Sequence, residues 1–391
     1  MSLNDLPSAE RTHIAFFGRR NAGKSSVINA VTGQNLSIVS AEKGTTTDPV
    51  KKAMEILPLG PVVIIDTAGI DDEGSLGKLR VAKSMETLNK TDIAVIVIDS
   101  VAGIGESEKK LIETIKQRKL PYILCYNKSD LVCPEIKYEN EITVSAVNGK
   151  GINELKELIG NFIRPKNTPI LSDLISEGDT VVLVTPIDEA APKGRLILPE
   201  QMVLREVLDS HAVAIVIQDG ELEEALKRLK DKPRLVVCDS QVFGVVSKIV
   251  PKDVHLTSFS ILMLRYKLSL KTAVEGAKTL DKLKDGDNIL ISEGCTHHRQ
   301  CNDIGTVKLP NWIKSYTGKN LNFFFTAGGE FPASLTKYAL VIHCGACMLN
   351  DSAIRSRMIF SEKQGVPFTN YGIVISKMHG ILDRALEVFG Q

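Results

Sequence analysis

Thr12-His-Ile-Ala-Phe-Phe-Gly18-Arg-Arg-Asn-Ala-Gly23-Lys24-Ser25-Ser26-Val-Ile-Asn-Ala-Val31 is the stretch that decides the fold of this 391-residue chain. A short apolar run feeds a G-x-x-x-x-G-K-S loop, and a helix-like segment leaves it. Strand, loop and helix in that order make a phosphate-binding loop in its proper context, whereas the eight-residue pattern alone recurs by chance. Gly18, Asn21, Ala22 and Gly23 let backbone N–H groups curl round a β-phosphate, and the helix start at Lys24, Ser25 and Ser26 adds its positive dipole end. Lys24 should reach the β- and γ-phosphates, and Ser25 a Mg2+ ion.

Working outward, four further short signals follow in order. Gly44-Thr45-Thr46-Thr47-Asp48 lies in a polar stretch, where Thr46 is placed to close over Mg2+ and the γ-phosphate. The run Val62–Ile65 ends in Asp66-Thr-Ala-Gly69, an acidic Mg2+ position followed by a glycine whose N–H meets the γ-phosphate. Lys24, Thr46, Asp66 and Gly69 are thus the candidate catalytic set. After a buried strand at 93–99, the run from Tyr122 leads into Asn127-Lys128-Ser129-Asp130, and Ile142-Thr-Val leads into Ser145-Ala146. A carboxylate at Asp130 accepts from guanine N1–H and the exocyclic amine together, which adenine does not offer, and Ala146 N–H serves guanine O6. Each signal is weak alone; the ordered series points to GTP rather than ATP.

Residues 12–165 therefore resemble a translation-factor-class GTPase of the Era/MnmE kind. The resemblance implies a K+ ion held against the phosphates by Asn21, with a loop residue bonding its own backbone as the plainer alternative. Ile70 stands where Ras-like enzymes carry the glutamine that orients water, so hydrolysis is expected to be slow and to need K+, a partner, or both.

Arg164-Pro-Lys-Asn-Thr-Pro169 reads as a linker. Beyond it, apolar runs at Thr180, Ala212, Arg234 and Val254 alternate with helical stretches 200–209, 221–229 and 241–249, which predicts a small parallel α/β domain. Its first loop, with Asp188, Lys193 and Arg195, lies where open sheets bind ligands. A third α/β unit starts near residue 263, with strands at 288–292, 322–325 and 339–342 and helices over 270–283, 312–316, 352–364 and 371–389. The expected architecture is three consecutive α/β domains with largely parallel sheets. They comprise a P-loop GTPase domain over 1–166, a second domain over 170–262 and a third over 263–391.

Net charge is +1, from 48 Lys and Arg against 47 Asp and Glu, which leaves no footprint for nucleic acid or an anionic membrane. No apolar run approaches the ~20 residues of a spanning helix, and the N-terminus lacks a signal-peptide pattern. A cytoplasmic chain with no nucleic-acid or membrane partner is expected. Seven Cys, four of them in two clusters, favour metal binding over disulfides in a reducing compartment.

Those clusters are Cys295-Thr-His297-His-Arg-Gln-Cys301 and His343-Cys344-Gly-Ala-Cys347, each at the end of an apolar run. The C-x-x-C turn is expected to be kept tight by Gly345. Thiolates suit zinc or iron–sulfur iron. A closed zinc site wants four ligands, which Cys301 or His297 would complete. An iron–sulfur centre on Cys295, Cys344 and Cys347 would leave one iron open to His297, His343 or Asp188. His343 is equally suited to cap a strand end, and Cys301 reads as a spare thiol. Cys125, Cys133 and Cys238 read as core residues.

Cys-x-His followed by a distant His-Cys-x-x-Cys, behind an Era-like GTPase, is similar to the [FeFe]-hydrogenase maturation GTPases of the HydF family. The segments from Asp188 to the Leu-Ile-Leu-Pro run and from Asp303-Ile-Gly to Leu-Pro carry the resemblance further. It implies a homodimer with a GTPase domain, a dimerisation domain and a cluster-binding domain, and a [4Fe-4S] cluster on Cys295, Cys344 and Cys347. It further implies a scaffold or carrier for the diiron precursor that two radical-SAM maturases make and apo-[FeFe]-hydrogenase receives. Lys193, Arg195 and Arg299 are candidates to hold its anionic groups. The rival reading is a ribosome- or tRNA-associated GTPase with a structural zinc site.

Overall fold

The computed structural model describes residues 8–33, 50–71, 74–162, 168–186, 196–295 and 303–390. The chain divides into two compact units, Met1–Pro165 with Asn350–Ser356, and Lys166–Leu349 with Arg357–Gln391.

The first unit is built on β1 (Thr12–Gly18), α1 (Lys24–Thr32), β2 (Val50–Ile56), β3 (Gly60–Asp66), α2 (Gly74–Thr87), β4 (Ile93–Asp99), α3 (Glu106–Gln117), β5 (Tyr122–Asn127), β6 (Glu141–Thr143) and α4 (Ile152–Phe162). The sheet runs β2-β3-β1-β4-β5-β6. Only β2 is antiparallel to its neighbour. Its Val50-Lys-Lys-Ala-Met-Glu-Ile56 sequence is half polar, as an edge strand allows. The runs 14–17 of β1 and 93–98 of β4 are apolar because helices cover both faces: α1 and α4 pack on one side and α3 on the other.

The second unit carries two four-stranded parallel sheets. β7 (Thr180–Val184), α5 (Leu198–Asp209), β8 (Val213–Ile217), α6 (Leu222–Arg228), β9 (Leu235–Cys238), α7 (Phe243–Ile249), β10 (His255–Ser258) and α8 (Phe259–Lys267) form the first, in order β10-β9-β7-β8. The boundary expected between residues 262 and 263 falls inside α8. After α9 (Leu270–Ala277) come β11 (Asn288–Ser292), α10 (Leu309–Thr317), β12 (Asn322–Thr326), β13 (Leu340–His343), α11 (Asp351–Lys363), β14 (Phe368–Asn370), α12 (Tyr371–Met378) and α13 (Leu382–Leu386), with strands ordered β12-β11-β13-β14.

The two sheets of this unit share their packing. Ile373 of α12 and Ala385 and Leu386 of α13 enter the core of the β7 sheet, while Tyr371, Val374 and Ile375 enter that of the β11 sheet. A helix buried on both sides must be apolar all round, as Tyr-Gly-Ile-Val-Ile is. The single helix expected over 371–389 is interrupted, with Gly380 at φ 69 closing α12. No described helix is long and apolar enough to cross a membrane.

Candidate functional site

In the first unit β1, β3, β4 and β5 run parallel, so Gly18, Asp66, Asp99 and Asn127 end at one edge of the sheet. The chain passes from β1 to α1 through Asn21 at φ 63 and Gly23 at φ 85. A Cβ on Gly23 would stand 2.2 Å from Asn127 Nδ2, so glycine alone fits there. Asn127 Nδ2 donates to Ala22 O at 3.0 Å, and Asn127 Oδ1 accepts from Ala146 N at 3.1 Å. One side chain thus ties the phosphate loop to the loop that holds Ala146.

Lys24 Nζ lies 3.2 Å from Asp66 Oδ1, and Ser25 Oγ donates to Asp66 Oδ2 at 3.1 Å. Asp66 Oδ1 is buried and accepts no directed hydrogen bond among the described residues. A carboxylate oxygen of this kind beside a serine hydroxyl is the hard donor set Mg2+ takes. Ser145 Oγ donates to Asp130 Oδ1 at 2.6 Å, and Lys128, at φ 67, pairs with Asp99 at 2.5 Å. Burial would raise the Asp99 carboxyl, but the hydrogen bond from Lys128 holds it below the usual range. Ile70 is buried with its N–H on Gly18 O at 3.2 Å, and its side chain has no group to orient water. Arg19, which the motif leaves unspecified, donates to the fully buried Glu108 at 2.5 Å and to Gly103 O at 2.6 Å.

In the second unit β11 and β13 are adjacent and parallel, with Ser292 opposite His343. Cys295 and Cys344 therefore leave the sheet at the same edge. Gly294 N and Ala346 N donate to Cys344 Sγ at 3.1 and 3.3 Å, and amide donors aimed at a sulfur favour its thiolate and metal-bound forms. Burial first, then the nearby sulfurs of Cys347 and Cys295, push the free Cys344 thiol up to about 12. Burial raises Cys347 as well. Any metal bound at these sulfurs would have to displace protons. Among the described residues no three His, Cys, Asp or Glu side chains close on one point as a single-ion cage.

His343 is fully buried, with Arg357 Nη1 2.8 Å from its Nε2 and Cys344 O 3.0 Å from its Nδ1. A guanidinium only donates, so Nε2 accepts and Nδ1 carries the proton to the carbonyl. Burial, followed by the Arg357 charge, lowers its pKa to about 3. With both ring nitrogens hydrogen-bonded, His343 stands as a strand-end cap in this structure. The turn also differs from expectation. Ala346, at φ 54, takes the left-handed conformation rather than Gly345, and Lys267 Nζ holds the loop by donating to Ala346 O at 3.0 Å and Leu349 O at 2.9 Å.

Cys125 and Cys238 are buried, but Cys133 is exposed and not a core residue. Thr46, Asp188, His297, Cys301, Lys193, Arg195 and Arg299 lie outside the described residues. Lys267 and Arg357 escaped the sequence reading. Arg357 did leave a signal: it falls on the buried stripe of α11 with Ala353, Ile354, Met358 and Ser361, where a charge is out of place.

A family model described as 50S ribosome-binding GTPase matches residues 13–128. Two more, the hydrogen maturase F dimerization domain and the hydrogen maturase F tetramerization domain, match 170–268 and 271–388. The tRNA modification GTPase MnmE of a Synechococcus strain is 36% identical over 156 residues, 38% of this chain and 33% of that protein. GTPase Der of Mycoplasmopsis pulmonis is 32% identical over 193 residues, 43% of this chain and 44% of that protein. The chain thus spans less than half the length of these curated relatives. Among solved structures, Era of Aquifex aeolicus bound to GDP and aluminium fluoride is 18% identical, covering 61% of this chain and 97% of that one at a TM-score of 0.34. With a GTPase domain followed by both domains named for hydrogen maturase F, the chain belongs to the hydrogen maturase F family.

Proposed function

We propose that the chain is a GTPase and [4Fe-4S] scaffold or carrier that assembles or delivers the diiron precursor to apo-[FeFe]-hydrogenase. The observation that carries the reading is the grouping of Cys295, Cys344 and Cys347 at the ends of neighbouring strands, with backbone amides on Cys344 Sγ. It occurs in the part of the chain that the hydrogen maturase F models match.

When bound, a cluster on three cysteines supplies one iron with a further coordination position. With His343 engaged by Arg357 and Cys344, the remaining protein candidates for that position are His297 and Asp188. The GTPase domain implies GTP and Mg2+. Lys24 and Ser25 would hold the phosphates and the ion, Asp66 would order the Mg2+ shell, and Asn127, Asp130, Ser145 and Ala146 would frame the guanine. Asn21 would hold K+. Ile70 supplies no water-orienting group, so turnover is slow without K+ or a partner. Segments 40–48 and 66–77 would reorder as the γ-phosphate leaves, timing the docking of a radical-SAM maturase or the apo-hydrogenase. The matched dimerization and tetramerization domains support an oligomer, and we assign a homodimer as its basic unit.

The test is transfer. Anaerobically reconstituted protein is incubated with the two maturases and their substrates, re-isolated, and mixed with apo-hydrogenase. Hydrogen evolution that depends on the re-isolated protein supports the carrier reading. None, from a preparation shown to hold iron and sulfide, contradicts it.

A further inference from the structure

The edge of the β11 sheet carries buried positive charge that the proposed reading leaves unused. Arg357, on α11, is only 6% exposed. It donates to Ser292 Oγ at 3.2 Å, to His343 Nε2 at 2.8 Å and to Gly328 O at 2.6 Å, and lies 5.0 Å from the centre of the Phe331 ring. All four partners are neutral, His343 because its Nε2 accepts from the guanidinium. No described carboxylate pairs with Arg357, and the charged group it feels is Cys344. On the other side of the same loop Lys267, 2% exposed, holds the Ala346 and Leu349 carbonyls, and its charge reaches Cys347.

A buried guanidinium with only neutral partners is unfavourable unless an anion neutralises it. Hydrogen bonds to a hydroxyl, a carbonyl and an imidazole satisfy its donors without cancelling its charge. The ionisable group that acts on Arg357 is Cys344, which points to the anion that Cys295, Cys344 and Cys347 hold as thiolates; the buried Glu293 nearby instead accepts from Tyr371. We infer that Arg357, assisted by Lys267, is the fixed counter-charge of the iron–sulfur centre and sets its reduction potential. This rests on the cluster reading given above. Reduction adds an electron to a centre that is already anionic, and net charge and nearby hydrogen bonds tune such potentials. A cation held in a low-dielectric interior stabilises the reduced form most. His343 lies between Arg357 and the Cys344 backbone as a neutral spacer, so it fixes the guanidinium without adding charge. Arg357 is thus a positioning residue that acts on the centre through space.

The experiment is a redox titration of the reconstituted full chain, read by EPR, for wild type, Arg357→Gln, Arg357→Lys and Lys267→Met. Glutamine keeps hydrogen-bonding capacity and loses the charge; lysine keeps the charge. At equal iron per chain, Arg357→Gln should move the midpoint more negative by at least a tenfold change in the oxidised-to-reduced ratio, which is 59 mV for one electron. Lys267→Met should move it the same way, and Arg357→Lys should stay near wild type. Equal midpoints in wild type and Arg357→Gln overturn the inference, as does an Arg357→Lys shift as large as that of glutamine. If Arg357→Gln does not fold, the Lys267→Met and Arg357→Lys midpoints decide in the same way. Wild-type protein that takes up no iron overturns the cluster reading itself, whereas iron uptake with unmoved potentials removes this inference alone.

Discussion

At the nucleotide site three described cations face carboxylates: Lys24 with Asp66, Lys128 with Asp99, and Arg19 with Glu108. At the thiol site Arg357 instead meets a hydroxyl, an imidazole and a carbonyl oxygen, while Lys267 donates to two carbonyls of the cysteine loop. The first arrangement is neutral pair by pair, so an anionic nucleotide can arrive and leave without stranding a buried charge. In the second, no described carboxylate pairs with Arg357, so its charge is offset when an anion sits at Cys295, Cys344 and Cys347, as the proposed cluster would. The contrast fits an exchangeable nucleotide and, on the proposed reading, a resident cluster.

The largest effect should come from removing the cation that serves the nucleotide. Lys24→Ala is expected to lower GTP hydrolysis by about 10²–10³-fold or more while leaving bound iron unchanged. Simultaneous loss of both activities would erase the contrast between an exchangeable and a resident site. Next is Cys344→Ala, which should cut iron retention at least about tenfold with GTPase activity at saturating K+ intact; full retention would remove Cys344 from the ligand set. Asp130→Asn should shift preference from guanine toward xanthine by roughly 10–100-fold, the worth of a charged hydrogen bond. Unchanged base selectivity in competition binding would reject the assignment.

The smallest effect contrasts two thiols. Cys125 and Cys344 are both held at about 12, by burial first, but Cys125 lies in the core of the GTPase sheet, and burial is the cause of its shift. The unfolded chain ionises this thiol near its ordinary value of 9.0, while the folded chain keeps it protonated. The folded state therefore binds more protons between those two values, and stability falls as pH rises through that window. The loss should be about 2 kcal/mol by about pH 10.5. Cys125→Val should flatten that alkaline slope in denaturant titrations at neutral and high pH, and an unchanged slope would show that other groups carry it.

The nucleotide loop was legible because its chemistry fixes residue identity locally. Gly23 is required by its left-handed backbone at φ 85, and Lys24 and Ser25 by what α1 must present. Parallel strands ending at Cys295 and Cys344 followed from the same logic. Partners distant in sequence were not legible. The apolar face of α12 announces burial but not that it divides between two sheets. His343 reads equally as a ligand or as a strand-end cap, and only the placement of Arg357 on its Nε2 favours the cap. The C-x-x-C turn shows a glycine, yet Ala346 takes the left-handed position, held by Lys267 from α8. In each case the deciding atom comes from another element, and no local periodicity carries it.

The most direct measurement is iron and sulfide content with EPR on anaerobically reconstituted wild type and Cys295→Ala. The expected result is about four iron and four sulfide per chain, as for a [4Fe-4S] centre, with a reducible signal that disappears in the variant. One tightly held zinc per chain, with no iron uptake, would contradict the scaffold assignment.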